Sequence, residues 1–256
     1  MQSIIDRLKD TQGDAALYYR PLAGGEGLQY NADLPLMAAS VIKLPIMVEA
    51  FRQAKAGLQD MNAQYTLEPS DKLPPCGVLT FMHDGLRVTL RDLVTLMIVV
   101  SDNTATNMLI DILGMDNVNV TLRALGMRGT VLRRRLFDAE ASARGLENTV
   151  TAREIGGLLE ALYAGRVVSP AASAAMLDIL RGQQLNGKLP FFLPCEVAHK
   201  TGEDEGITHD AGIVYALRPF VLCLFSNRTD VPRFERLMQD TARELTFGNP
   251  NTLAKG

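Results

Sequence analysis

Apolar residues recur with two different periods along this chain. Apolar positions three and four residues apart predict helices within residues 1–14, 41–57, 89–112, 118–125, 151–165, 169–180 and 231–245. Alternating or continuous short apolar runs predict strands at residues 15–19, 28–30, 196–202, 209–217 and 219–227. The first two strands flank Gly24, Gly25 and Gly27, so we expect them to form a hairpin.

Two of the predicted helices begin with a capping sequence. Thr89-Leu-Arg-Asp92 opens the helix of residues 89–112, and Thr151-Ala-Arg-Glu154 opens the helix of residues 151–165. In a capping box the threonine hydroxyl and the later carboxylate each accept a backbone N–H that the first helical turn leaves unpaired. The segment of residues 133–148, which precedes the second cap, is expected to be irregular.

Strands at both ends and helices between them predict an α+β protein. The terminal segments, about 1–57 and 186–256, are expected to form one antiparallel sheet flanked by helices, and residues 58–185 an inserted all-helical lobe. The 256 residues, 47% of them hydrophobic, suffice for a single domain with a large core. We expect a cleft between the two lobes.

Charge and hydrophobic length exclude two classes of partner. The net charge is −3, which does not favour a basic surface for nucleic acid. The longest apolar runs, such as residues 93–100 and 220–225, are far shorter than the roughly 20 residues that span a bilayer. The N-terminus lacks the continuous apolar core of a signal peptide. A cytoplasmic protein is therefore expected, with a processed secreted form as the alternative.

The cysteines and histidines do not form a recognisable metal or disulfide pattern. Cys76, Cys195 and Cys223 are odd in number and widely spaced, so we interpret them as small buried or half-buried apolar residues. His199 and His209 flank a predicted strand without a ligand spacing. We expect both to pack or hydrogen-bond, although His209 could reach the rim of a pocket from its strand.

A serine and a lysine stand three residues apart in "AASVIKLPIM", as Ser40 and Lys43. Residues at this spacing share a helix face, and the N-terminus of a helix favours a developing negative charge. Lys43 could therefore activate Ser40 as a nucleophile. The ordinary alternative is a helix N-cap at Ser40 and a solvated lysine. Pro45 is compatible with the first turn of a helix.

Two further tripeptides follow in a fixed order. Ser101-Asp102-Asn103 interrupts an apolar helical run, and Lys200-Thr201-Gly202 lies on a predicted strand. Each tripeptide alone is weak evidence, because a polar triplet between helices is usually a cap or a turn. The three motifs together, in this order, are much more specific.

With these motifs the chain resembles the class A β-lactamase-like serine hydrolases, which include penicillin-binding proteins, over nearly its full length. The matching segments are "LMAASVIKLPIM", "VTLMIVVSDNTATNMLID", "VAHKTG" and "THDAGIVYA". The resemblance implies the β-lactamase/transpeptidase-like fold and catalysis through an acyl-enzyme. It implies no cofactor and no metal.

The resemblance also implies a role for each motif residue. Ser40 would be the nucleophile and Lys43 its base, with a pKa lowered by Lys200. Ser101 would relay a proton to the leaving nitrogen. The implied substrate contacts and oxyanion-hole donors are Asn103 for a side-chain amide, Lys200 and Thr201 for a carboxylate, Gly202 for close approach along the strand, and the backbone N–H groups of Ser40 and Glu203.

One family motif is missing. In the β-lactamases proper, a loop carries R-x-E-x-x-L-N, whose glutamate orients the water that removes the acyl group. A motif that starts at Arg133, Arg134 or Arg135 has Arg135, Leu136 or Phe137 at its third position. Asp138 and Glu140 are the nearest carboxylates, and Asp138 could be a catalytic base or the partner of an arginine. Glu147 is expected to support the cap of the next helix.

The function predicted from the sequence is therefore that of a serine hydrolase acting on a β-lactam or a related amide or ester. The alternatives are an esterase or D-alanyl peptidase with a non-lactam substrate, or a slowly deacylating penicillin-binding sensor. The expected partner is a small molecule carrying a carboxylate, and a monomer is favoured.

Overall fold

A computed structural model describes residues 1–74 and 76–248 of the chain. In chain order its helices and strands are α1 (Gln2–Lys9), β1 (Asp14–Pro21), β2 (Leu28–Tyr30), β3 (Leu36–Met37), α2 (Lys43–Lys55), β4 (Gln64–Thr66), β5 (Arg87–Thr89), α3 (Leu90–Val99), α4 (Asn103–Leu113), α5 (Met115–Ala124), α6 (Ala139–Ala143), β6 (Thr149–Val150), α7 (Ala152–Tyr163), α8 (Pro170–Arg181), β7 (Val197–Asp204), β8 (Ile207–Val214), β9 (Phe220–Asn227) and α9 (Val231–Phe247).

The central sheet is antiparallel and is built from both ends of the chain. Its strand order is β2-β1-β9-β8-β7, and β1 and β2 form the predicted hairpin. Helices from the middle of the chain are packed beside this sheet. The α+β architecture predicted from the sequence is therefore confirmed. Residues 249–256 of the predicted C-terminal segment lie outside the described residues.

Strand alternation sends side chains to two different cores. Leu17 and Leu222 pack with Phe234 and Met238 of α9 and with the apolar face of α1. Their strand neighbours face the opposite side of the sheet, where they join a larger core with helices α2, α3, α4 and α7. The sheet is thus covered on both faces, and β7 remains at its edge.

The predicted helix of residues 89–112 is divided into α3 and α4. Ser101 has a positive φ of 54°, a conformation that ends a right-handed helix. The capping box at Thr89 is confirmed: the Asp92 N–H donates to Thr89 Oγ1 over 3.1 Å, and the Thr89 N–H donates to Asp92 Oδ2 over 2.8 Å. The break forms a polar turn whose residues Ser101, Asp102 and Asn103 are buried.

The second capping box forms only by half. Thr151 Oγ1 accepts the N–H of Glu154 over 3.2 Å. The Glu154 carboxylate turns instead to the backbone N–H groups of Arg128, Gly129 and Thr130, at 2.7, 2.9 and 2.6 Å. Three donors in a neighbouring loop outcompete the single N–H of Thr151, so the prediction of a reciprocal box was wrong.

Two short antiparallel ladders involve residues of the middle segment, so the prediction that residues 58–185 are all-helical was wrong. Strand β3 pairs with β6, and β4 pairs with β5. Strand β3 lies just before Ser40 in the chain, and its pairing with β6 connects that segment to residues 149–150. Among the described residues, no helix is long and apolar enough to cross a membrane.

Candidate active site

Ser40 lies in a short 3₁₀ turn, Ala39–Ile42, that leads directly into α2. Ala39 has a φ of 41°, and Val41 and Ile42 are completely buried, so the turn is anchored by its own apolar side chains. Helix α2 begins after Ile42, and Ser40 does not cap it. The ordinary interpretation of Ser40 as an N-cap is therefore wrong.

Lys43 is 0% exposed, which also excludes the solvated lysine of the ordinary interpretation. Its Nζ atom donates hydrogen bonds to the backbone oxygen of Ser101 over 2.7 Å, to Ser101 Oγ over 3.0 Å and to Asn103 Oδ1 over 2.9 Å. Within the described part of the chain these bonds go to Ser101 and Asn103 rather than to Ser40. The first and second motifs are thus in direct contact.

Lys200 reaches the same serine from strand β7. It is 0% exposed, and its Nζ atom donates to Ser101 Oγ over 3.1 Å and to the backbone oxygen of Thr201 over 2.8 Å. Ser101 Oγ consequently lies between two lysine side chains. All three motifs meet at this oxygen.

The environment lowers the pKa of both lysines. For Lys43 the main cause is burial, which disfavours the charged form, and the nearby Lys200 charge lowers the pKa further, well below its usual value. Burial lowers the pKa of Lys200 to about 7; the Asp210 carboxylate opposes this change and Lys188 adds to it. The sequence interpretation named Lys200 as the cause for Lys43, whereas burial is the larger cause.

A neutral Lys43 amine fits this set of partners. The amine has two N–H donors and one lone pair, and it faces two acceptor-only oxygens, the Ser101 carbonyl and Asn103 Oδ1. With both N–H groups donated to these oxygens, the contact with Ser101 Oγ at 3.0 Å has the opposite direction from that of the charged form: the hydroxyl donates to the amine lone pair. The site therefore has the composition of a proton relay.

The middle motif divides its polar side chains between two tasks. Asp102 caps α4 by accepting the Ala105 N–H, and its second oxygen accepts the N–H groups of Val78 and Leu79 at 2.7 and 2.9 Å. Asp102 is therefore structural. Asn103 turns toward Lys43 and the open cleft.

The third motif lies on the edge strand next to the Ser40 turn. A Cβ atom at Gly202 would lie 3.2 Å from Val41 Cγ2 and 3.3 Å from His209 Cβ, so the strand and the turn approach one another closely at this glycine. Thr201 is buried. Glu203 follows Gly202 and opens onto the cleft.

A cleft of about 520 Å³ lies beside these motifs. Its walls come from the Ser40 turn, the end of β7 and the loop of residues 134–148; the lining residues are Met37, Ala38, Ala39, Ser40, Cys76, Asn103, Arg134, Leu136, Phe137, Asp138, Ala139, Ser142, Glu147, Asn148, Glu203, Asp204 and Ile207. Of the predicted site residues, four line it. Lys43, Ser101, Lys200, Thr201 and Gly202 are not among the described residues of its wall.

The arrangement of the three motifs agrees with the known proteins to which the chain is similar. Residues 1–247 match the Beta-lactamase enzyme family. The chain belongs to this family. A β-lactamase from Sphaerobacter thermophilus DSM 20745 is 32% identical, with a TM-score of 0.88 and 97% of each chain covered. The protein PBP-A is 28% identical, with a TM-score of 0.87 over 100% of this chain and 96% of that one; a mutant of it forms an acyl-enzyme complex with penicillin G.

One relative of this chain is named as a regulatory protein rather than as an enzyme. It is the β-lactamase regulatory protein BlaB of Streptomyces cacaoi, 26% identical over 83% of this chain and 85% of its own length. The β-lactamase fold and family membership are thus shown, and together they support a function like that of a serine β-lactamase.

The loop that lacks the family glutamate uses its carboxylates structurally. Asp138 caps the short helix α6 by accepting the Ala141 N–H over 2.8 Å, although it also lines the cleft. The arginines next to it find other partners: Arg134 pairs with Glu147 at 2.7 Å, and Arg135 pairs with Asp111 at 3.1 Å. The predicted arginine pairing of Asp138 was therefore wrong, because the arginine side chains reach carboxylates outside its turn.

Glu147 is a cleft residue rather than a support for the next helix. Its carboxylate bonds to Arg134 and to the hydroxyl of Ser142. Partial burial raises its pKa, but the hydrogen bonds from Ser142 and Arg134 outweigh this and lower the pKa below its usual value. Glu140 is exposed and pairs with Arg144. The expectation that Glu147 supports a cap was wrong.

Two asparagines that the sequence interpretation missed hold the cleft wall. Asn107 accepts the Leu136 N–H over 2.9 Å and donates to the Leu136 carbonyl over 3.0 Å. Asn148 accepts the N–H groups of Arg133 and Arg134, and its backbone oxygen accepts the Ala38 N–H. The spacing of Asn107, four residues after Asn103 on one helix face, was a usable signal; Asn148 had none.

Both strand histidines are buried and hydrogen-bonded, as expected. His199 Nδ1 lies 2.8 Å from Asp210, while His209 Nδ1 accepts the Ser226 N–H and Nε2 donates to the Met37 oxygen. Burial lowers the pKa of His209 to about 4. Within residues 1–74 and 76–248, no cluster of His, Cys, Asp and Glu side chains is suited to a metal.

Cys76 departs from its expected burial. Cys223 is buried and Cys195 half-buried, but Cys76 is exposed and lines the cleft. Its backbone oxygen accepts the Asn103 N–H over 3.1 Å, which draws the loop of Cys76 to the site. The interpretation of Cys76 as a buried or half-buried apolar residue was wrong.

Proposed function

We propose that this family member is a serine acyl-transfer enzyme in which Ser40 attacks a β-lactam, or a related amide or ester, and forms an acyl-enzyme. One observation carries the proposal: two buried lysines, Lys43 and Lys200, converge on Ser101 Oγ beside a cleft that Ser40 lines. A buried lysine with a lowered pKa gives up its proton more readily than an exposed lysine, and its neutral amine can serve as a general base.

The proposed acylation step moves two protons. Ser40 Oγ bonds to the substrate carbonyl carbon and its proton passes to the Lys43 amine. The tetrahedral oxyanion accepts the backbone N–H groups of Ser40 and Glu203. As the carbon–nitrogen bond breaks, Ser101 gives its proton to the leaving nitrogen, and Lys43 returns a proton to Ser101, with which it is already hydrogen-bonded.

Substrate recognition is proposed for the remaining motif residues. Lys200 and Thr201 would bind the carboxylate of the substrate, and Asn103 would bind its side-chain amide. Gly202 would let the substrate lie along the edge of β7, as an added strand does. Because Lys200 is buried, its hydrogen bond to a bound carboxylate is strongest when this lysine is protonated.

A second candidate function is a penicillin-binding sensor that acylates and deacylates slowly. A specific observation favours it: the position that the family glutamate would take after Arg134 holds Leu136, and Asp138 and Glu147 are engaged in a cap and an ion pair. Water attack on the acyl-enzyme would then lack general-base help, typically about 10²–10⁴-fold. The regulatory name of one relative is compatible with such a role.

Covalent labelling tests the proposed function. Wild-type protein should be labelled by a fluorescent penicillin, and intact-protein mass spectrometry should place the adduct on Ser40. Ser40→Ala should lose the label and keep its melting temperature, because Ser40 makes no cap bond. Labelling that persists in Ser40→Ala would refute the nucleophile. Turnover of a chromogenic cephalosporin and of a p-nitrophenyl ester, measured in parallel, distinguishes a β-lactamase from an esterase and from a sensor.

A further inference from the structure

Lys188 is a buried cation to which the proposed reaction gives no task. It is 3% exposed and precedes strand β7 in the chain. Its Nζ atom donates to the backbone oxygens of Gly202 over 3.1 Å and His209 over 3.3 Å. It also forms ion pairs with Glu203 at 3.0 Å and with Glu235 of α9 at 3.7 Å. A buried lysine with four acceptors is costly to assemble unless all of them are satisfied.

The two carbonyl contacts determine the direction of one peptide group. Gly202 and His209 are directly paired across β7 and β8. One ammonium group can reach both carbonyl oxygens only if both point into the space between these strands, as in a hydrogen-bonded antiparallel pair. The Gly202 carbonyl therefore points toward β8.

The other end of the same peptide group faces the cleft. In a planar trans peptide the C=O and the next N–H point in opposite directions, so the Glu203 N–H points to the free edge of β7. That edge approaches the Ser40 turn at Gly202, and Ser40 and Glu203 both line the cleft. The N–H proposed as an oxyanion-hole donor thus belongs to the same peptide group as the carbonyl oxygen that Lys188 contacts.

We infer that Lys188 is a positioning residue for the oxyanion hole: its ammonium group holds the Gly202–Glu203 peptide and polarises it, so that the Glu203 N–H becomes a better donor. A cation at a carbonyl oxygen draws electron density from the amide and strengthens its N–H as a donor. Low exposure preserves the effect, because water does not screen it. The inference rests on the proposed acylation of Ser40.

Lys188 could instead act on the reaction through Lys200. Its charge contributes to lowering the pKa of Lys200, after the larger effect of burial. Removing Lys188 by that route would shift the pH profile of acylation and would affect all acyl substrates alike. An oxyanion-hole role predicts a different pattern, because it depends on the atom that carries the developing negative charge.

The experiment compares an ester with its thiono analogue. Sulfur is a weak hydrogen-bond acceptor, so the thiono substrate gains little from the oxyanion hole in any variant. Lys188→Met should slow acylation by a p-nitrophenyl ester about 10- to 100-fold, which is no more than the effect of removing one oxyanion-hole donor. Acylation by the thiono ester should be slowed much less. Glu235→Gln removes an ion pair of Lys188 but keeps both carbonyl contacts, so it should leave both rates nearly unchanged.

Failure of the Lys188 role can be distinguished from failure of the proposed acylation of Ser40. If wild-type Ser40 is not acylated at all, the proposed function fails. If wild type is acylated and Lys188→Met slows both substrates equally, or slows neither, the oxyanion-hole role is wrong. Lys188→Arg should restore the wild-type ester-to-thiono ratio. Should Lys188→Met fail to fold, Lys188→Gln, which can still donate to the carbonyls without a charge, should show an intermediate ratio; a wild-type ratio there refutes the polarisation.

Discussion

Lys43 and Lys200 donate hydrogen bonds to the same atom, Ser101 Oγ, at 3.0 and 3.1 Å. Neither side chain is exposed. Two ammonium groups so close together in a buried space repel one another, and burial disfavours the charge on each. Their protonation is therefore coupled, and the pKa of Lys43 depends on whether Lys200 is present.

Replacing Lys200 should affect substrates according to their charge. Lys200→Ala is expected to raise KM for carboxylate-bearing cephalosporins about 10- to 100-fold, the value of one hydrogen bond to a charged group, and to change KM for a neutral ester much less. Steady-state kinetics on both substrates tests this. Equal losses would mean that Lys200 serves Lys43 or the fold rather than the carboxylate.

The buried lysine should also make folding stability depend on pH. Folding lowers the pKa of Lys200 from about 10.4 in an unfolded chain to about 7. Below about pH 7 both states carry the proton, and between about pH 7 and 10 the unfolded chain binds more protons, so stability rises with pH across this window. Urea unfolding should show a smaller rise in Lys200→Met than in wild type. Parallel pH curves would contradict the lowered pKa.

A carboxylate introduced at Leu136 should speed deacylation. Leu136 lines the cleft, and its backbone is held at both polar atoms by Asn107. Wild type is expected to show a burst followed by slow turnover, with an adduct on Ser40 that mass spectrometry detects for minutes. Leu136→Glu should shorten the lifetime of this adduct by about 10-fold or more, through general-base help to the attacking water.

Matched changes in the same loop test the assignment of its carboxylates. Asp138→Asn and Glu140→Gln should leave the adduct lifetime of wild type unaltered, since Asp138 caps α6 and Glu140 is exposed. If Asp138→Asn traps the adduct while Glu140→Gln does not, Asp138 is the deacylating base. Rapid clearing in wild type and in both variants would show that the water is activated elsewhere, for example by Lys43.

Two asparagines with the same bonding allow the cleft wall to be tested against a control. Asn107 bonds both backbone atoms of Leu136, and Asn119 bonds both backbone atoms of Leu132, at 2.7 and 3.0 Å. Each change to alanine should destabilise the fold by about 1–3 kcal/mol, because a backbone donor and acceptor lose their partner. Only Asn107→Ala should also alter acylation and deacylation rates. Equal kinetic effects in both variants would indicate general destabilisation.

Local sequence patterns predicted the strands of the central sheet and most of the long helices, in their order along the chain. The hairpin before Ser40, the strands after residue 196 and the long final helix follow from apolar periodicity, which depends only on neighbouring positions. The cap at Thr89 was predictable for the same reason, since its partner Asp92 is three residues away. The spacing of Ser40 and Lys43 likewise predicted a helix start next to Ser40, and α2 begins at Lys43.

The chain alone determined which residue types stand at the three motifs and in which elements they lie. Only the tertiary structure decided their partners: Lys43 meets Ser101 across 58 positions, and Lys200 meets it across 99. The same holds where prediction failed: the Glu154 carboxylate binds N–H groups of a neighbouring loop, and the Glu147 carboxylate binds Arg134, 13 positions earlier in the chain, instead of a cap. A charged side chain selects its partner by distance in space and by burial, and neither quantity is a function of local spacing.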